Sequence, residues 1–153
     1  MAGVLGAMNT ILHERHLEEY YCTLCYAVFD FTRRAVTLAN SGLPYPIRCS
    51  GGSCGQIELP GVPLGSFPGI TYDEITIDLR PNDLFVFCTD GIFEAMNPKG
   101  AEFGSRRLCE VIDEAREKSA RGIVDAIFDA VSSFRGSEPQ ADDMTAVAIK
   151  IAL

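Results

Sequence analysis

Apolar positions recur at helical spacing at Val4, Leu5, Met8, Ile11 and Leu12, and the polar run His13-Glu14-Arg15-His16-Leu17-Glu18-Glu19 extends the predicted helix toward Glu19. One face of this helix is expected to lie against a sheet. Residues 20–31 are rich in aromatic and β-branched side chains, Asp30-Phe31-Thr32-Arg33-Arg34 is turn-forming, and residues 35–39 resume the apolar pattern, so a hairpin is predicted. Asn40-Ser41-Gly42-Leu43-Pro44-Tyr45-Pro46 then breaks the pattern as a rigid loop. A second hairpin is expected from residues 47–50 and 56–59 on either side of Gly51-Gly52-Ser53, followed by a proline-stiffened loop over residues 60–65.

Farther along, Ile75, Ile77 and Leu79 alternate as in a half-buried strand, and Arg80-Pro81-Asn82-Asp83 turns into the unbroken apolar run Leu84-Phe85-Val86-Phe87-Cys88, which ends in Thr89-Asp90-Gly91. Residues 105–118 carry Leu108, Val111, Ile112 and Ala115, and residues 120–134 carry Ile123, Ile127, Val131 and Phe134, so two helices are predicted to pack as a pair. A last apolar run covers residues 144–151. Strands first, paired helices next and a closing strand define an α+β chain with a mostly antiparallel sheet, read as a single domain over residues 1–153. There is no internal repeat.

The run into Asp90 aims a carboxylate from the end of a buried strand. Asp142-Asp143 stands just before the last apolar run. If those two runs pair antiparallel, the end of the first meets the start of the second and both acidic clusters converge at one sheet edge. Oxygen donors gathered in this way suit a hard divalent cation. Asp-Gly is also a common turn dipeptide, and a carboxylate after a strand is commonly just solvated. Two adjacent carboxylates repel unless solvated, capped or bound to a cation, and the two clusters together favour the metal reading.

Composition narrows the choices. With 153 residues, 47% of them hydrophobic and 22% charged, the chain has material for about one globular core, and disorder is expected only near residues 137–141. A net charge of -8 with scattered basic residues argues against nucleic acid and anionic membranes as partners. The apolar start, Met1 to Met8, reaches Asn9-Thr10 too soon to span a bilayer and has no basic residues before it. Of the cysteines, four lie in apolar or amphipathic runs, which fits a reducing cytoplasm. Cys49 and Cys54, across the Gly-Gly turn, are expected as reduced surface thiols that form a disulfide under oxidation. Cys22, Cys25, Cys49 and Cys54 have a tolerable zinc-ribbon spacing, but period two sends Cys22 and Cys25 to opposite faces of a strand. His13 and His16, at i and i+3 among Glu14, Arg15, Glu18 and Glu19, read as a solvated helix end before a metal pair. No Walker or dinucleotide motif occurs.

The order of motifs resembles a known family. Ala39-Asn40-Ser41-Gly42, Pro63-Leu64-Gly65, Thr89-Asp90-Gly91-Ile92-Phe93-Glu94-Ala95, Asn97-Pro98-x-Gly100-x-x-Phe103-Gly104 and Asp142-Asp143-Met144-Thr145 resemble the bacterial metal-dependent, type 2C-like serine/threonine phosphatases of the sporulation stage II E and stress-response type. The likeness runs from about Met8 to Ile151. It implies an antiparallel β-sandwich flanked by helices and two Mn²⁺ or Mg²⁺ ions, whose bridging water hydrolyses phosphoserine or phosphothreonine directly. By resemblance, Asp90, Asp142 and Asp143 are metal ligands and Gly91 offers its carbonyl. The implied partner is a phosphorylated regulatory protein of the anti-sigma-factor antagonist type. The family's earlier Gly-Asp-x-Tyr-Asp and Asp-x-x-Gly-His-Gly segments do not occur, and Leu43 stands where many relatives have His. The resemblance therefore implies the N-terminally truncated, C-terminal portion of such a domain, compatible with a fragment that folds yet is inactive, with homodimerisation, strand exchange or domain rearrangement expected to cover the truncated edge. The competing expectation is a non-catalytic interaction module that retains the phosphatase fold.

Overall fold

The computed structural model of the chain describes residues 1–15 and 22–152. Its elements, in chain order, are α1 (Ala2–Glu14), β1 (Leu24–Asp30), β2 (Ala35–Ser41), β3 (Ile47–Ser50), β4 (Ser53–Gln56), β5 (Glu74–Asp78), β6 (Leu84–Cys88), the one-turn α2 (Asp90–Phe93), α3 (Gly104–Ala115), α4 (Ala120–Arg135) and β7 (Ala146–Lys150). They fall into two compact units, Met1–Leu43 with Glu58–Leu79, and Pro44–Ile57 with Arg80–Leu153. Strands and helices combine as the α+β pattern predicts, and every strand pair is antiparallel.

The first unit holds a three-stranded sheet in the order β1-β2-β5. The predicted hairpin is present, with Asp30 opposite Ala35 across its turn, and β2 runs on through Asn40 and Ser41, which sequence placed in the following loop. Helix α1 covers this sheet through Leu5, which is buried with Ala39, Leu64 and Tyr72. Asn9 points inward too. It is 1% exposed, its Nδ2 donates to Phe67 O at 2.9 Å, and its Oδ1 accepts from Gly65 N at 2.9 Å and Tyr72 Oη at 3.4 Å. A buried amide tolerates this position because both its donor and its acceptor are used. Among the described residues the helix runs to Glu14; the rest of its predicted extension toward Glu19, His16 included, and the expected start of the first strand at Tyr20 lie outside them.

The second unit is built on a four-stranded sheet ordered β4-β3-β6-β7. Val86, Cys88, Leu108, Ile112, Ile123 and Ile127 form the centre of its core, beneath the paired helices α3 and α4. Ser119 starts α4 by accepting from Gly122 N at 3.1 Å. The second hairpin departs from expectation. Gly51 and Gly52 both take positive φ, 58° and 89°, and make a two-residue turn, so β4 begins at Ser53 and not at residue 56. That register sets Cys49 opposite Cys54, and the two are joined as a disulfide where reduced thiols were expected. Among the described residues no helix is long and apolar enough to cross a membrane.

Candidate metal centre

Strands β6 and β7 pair from Leu84 opposite Lys150 to Cys88 opposite Ala146. The antiparallel arrangement expected of these two runs is therefore present, and it brings Asp90-Gly91 to the same end of the sheet as Asp142-Asp143. The ladder continues past the named strands. Thr89 N donates to Thr145 O at 3.1 Å, Thr145 N donates to Thr89 Oγ1 at 2.9 Å, and Thr89 Oγ1 donates to Asp143 O at 3.1 Å.

Beyond Thr89 the chain turns at once into α2, with Asp90 as its first residue. Gly91 is buried here, and a Cβ on it would overlap the carbonyl of Asp143 and press on that of Asp142. Only glycine lets the two segments approach this closely. Local hydrogen bonds orient the acids: Asp90 Oδ1 accepts from Gly91 N at 3.0 Å, Asp142 Oδ1 accepts from Asp143 N at 2.7 Å, and Gln140 Nε2 donates to Asp142 O at 2.8 Å. Asp90, Asp142 and Asp143 are all exposed residues.

The donor set is oxygen only: three carboxylates and the Gly91 carbonyl, of the kind that suits Mg²⁺ or Mn²⁺. It is also incomplete, because among the described residues no group of three or more His, Cys, Asp or Glu side chains is gathered as a metal ion requires. The residue types fit the chemistry of a hard cation, as part of a larger ligand set. Thiol and imidazole alternatives fare worse. The Cys49–Cys54 bond removes two of the four thiols of a zinc set. His13 Nδ1 lies 3.1 Å from Gly65 O and serves the loop against α1, while its sequence companion His16 is not described. Burial pushes the Cys88 thiol up to about 12, so this neighbour of Asp90 stays protonated and is no nucleophile. A cavity of about 360 Å³ lies at the opposite end of β6 and β7, lined by Leu84, Asn82 and Lys150, away from the carboxylates.

Sequence reasoning overlooked Thr89 and Thr145 as parts of this site. Both were visible in it, as the residue before Asp90-Gly91 and the second residue after Asp142-Asp143, but only the strand register shows that they meet.

The fold is that of the PP2C phosphatase domains. The SiaA-PP2C domain of Pseudomonas aeruginosa superposes with a TM-score of 0.82 at 21% identity, over 98% of this chain and 60% of that one. The phosphatase domain of the cell fate determinant SpoIIE from Bacillus subtilis, presoaked with Mn, gives 0.75 at 22% identity, over 97% and 65%. In sequence, the model of the stage II sporulation protein E (SpoIIE) family matches residues 1–152, and the chain belongs to that family. Protein IcfG of Synechocystis is 26% identical over 130 residues, which are 84% of this chain and 20% of that protein. The chain thus spans about a fifth of that curated relative's length.

Proposed function

We propose that this chain is part of a metal-dependent phosphoprotein phosphatase that hydrolyses phosphoserine or phosphothreonine on a regulatory protein, of the anti-sigma-factor antagonist type, in the cytoplasm. One observation carries the reading: in a chain of the SpoIIE family, Asp90-Gly91 and Asp142-Asp143 converge at the shared end of β6 and β7. Asp90, Asp142, Asp143 and the Gly91 carbonyl would hold Mn²⁺ or Mg²⁺. Metal bound there would supply positive charge for the phosphoryl group and lower the pKa of a bound water.

The chain's own residues supply charge and placement. Three exposed carboxylates on a protein of net charge -8 repel a phosphorylated partner unless cations intervene, so binding of the partner and binding of metal are coupled. A hard cation takes about six ligands or more, so further oxygen donors would be needed beside these four groups.

Hydrolysis of p-nitrophenyl phosphate tests this reading. Turnover that requires Mn²⁺ and is lost in both Asp90→Asn and Asp142→Asn is the expected result; turnover indifferent to chelator or to both substitutions contradicts it. The incomplete gathering of carboxylates favours a second reading, a non-catalytic interaction module of the same fold. Mn²⁺ binding without any hydrolysis supports that module.

A further inference from the structure

We infer that Thr89 is a positioning residue: its hydroxyl clamps the backbone from Asp143 to Thr145 beside Asp90-Gly91 and so sets the spacing on which divalent-cation affinity depends. The clause about affinity rests on the metal reading given above; the clamp itself rests on hydrogen bonds alone.

Thr89 occupies the N-cap position of α2, where a threonine hydroxyl ordinarily accepts from an N–H in the first helical turn. Here it makes no such cap bond. Instead the hydroxyl crosses to the other segment, accepting from Thr145 N at 2.9 Å and donating to Asp143 O at 3.1 Å. Its backbone N–H adds a third link to the same segment, to Thr145 O at 3.1 Å. The side chain has given up its local role for a pair of bonds on both sides of Met144.

The consequence for the carboxylates is geometric. Asp143 O is the atom that a Cβ on Gly91 would strike, so the clamp and the missing Cβ act on one carbonyl. With that carbonyl held, the backbone at Asp143 is tethered beside Asp90-Gly91. Exposed side chains on an untethered segment would have to be ordered by the ion itself, at a cost in affinity. Removing a group that orients metal ligands typically costs roughly 10- to 100-fold in affinity. Valine preserves the shape of threonine and removes both hydroxyl bonds, while serine keeps them.

Two measurements on the whole chain test the inference. In metal-free protein, amide hydrogen exchange should quicken at Thr145 in Thr89→Val but not in Thr89→Ser, with the amides of β6 unchanged. Calorimetric Mn²⁺ titration should show at least about tenfold weaker binding in Thr89→Val, with serine within about threefold of wild type. Unchanged exchange at Thr145 overturns the clamp, and altered exchange with unchanged Mn²⁺ affinity overturns its role at the site. If Thr89→Val does not fold, Thr89→Ser against Thr89→Ala makes the same comparison. If wild type itself binds no Mn²⁺, the functional reading above fails, and the exchange comparison still decides the clamp.

Discussion

A methyl group at position 91 has no space, because the carbonyl of Asp143 already occupies it. Gly91→Ala must push apart the two segments that bring the acids together, and overpacking of this kind costs about 1–3 kcal/mol. Chemical denaturation should show that loss, and Mn²⁺ affinity should fall with it; a variant of wild-type stability and affinity would mean that the close approach is dispensable. Asp90 and Asp142-Asp143 were legible in the sequence because each flanks an apolar run long enough to be read as a strand. Thr89 was not, because its partners, Asp143 and Thr145, are separated from it by more than fifty residues and are reached only through the strand register.

At the scale of elements, apolar runs and helical periodicity located β2, β6, α3 and α4 closely, since each carries fully buried side chains. The β3–β4 hairpin was misjudged. Its second strand, Ser53–Gln56, carries no alternating apolar pattern and is largely exposed, so the stronger-looking residues 56–59 drew the assignment. Two consecutive glycines with positive φ decide the turn length, and turn length decides register. The Cys49–Cys54 bond across that register closes a short loop and should contribute about 2 kcal/mol by restricting the unfolded chain. Reduction, or the double substitution Cys49→Ser and Cys54→Ser, is expected to lower stability by that amount in urea titration while leaving Mn²⁺ binding in place. Equal stability of oxidised and reduced protein would show that the bond is structurally idle.

For the molecule as a whole, acid stability follows from one buried pair in the second unit. Asp83 is 1% exposed and accepts from Arg48 Nη2 at 2.6 Å and from Arg80 N at 3.0 Å. Burial alone would raise its carboxyl, but the Arg80 N–H and the Arg48 guanidinium outweigh it and hold the group below the usual carboxylate range. A depressed folded value means that the pair's stabilisation is fully present above the unfolded value, near 3.9, and is lost as pH falls through the folded one. Stability should therefore hold down to about pH 4 on this account and decline below it. Asp83→Asn should cost about 3 kcal/mol at neutral pH, by leaving Arg48 with a neutral partner, and should flatten that acid limb in denaturation curves.

The same unit carries the acids on which the functional reading stands, and their capacity to hold a cation can be measured without any substrate. Calorimetric titration of Mn²⁺ into the wild-type chain and into Asp90→Asn and Asp142→Asn tests this most directly. Saturable binding in the wild type, weakened at least about tenfold by either substitution, is the predicted result. Wild-type affinity retained in both variants would contradict the assignment of the centre to the shared end of β6 and β7.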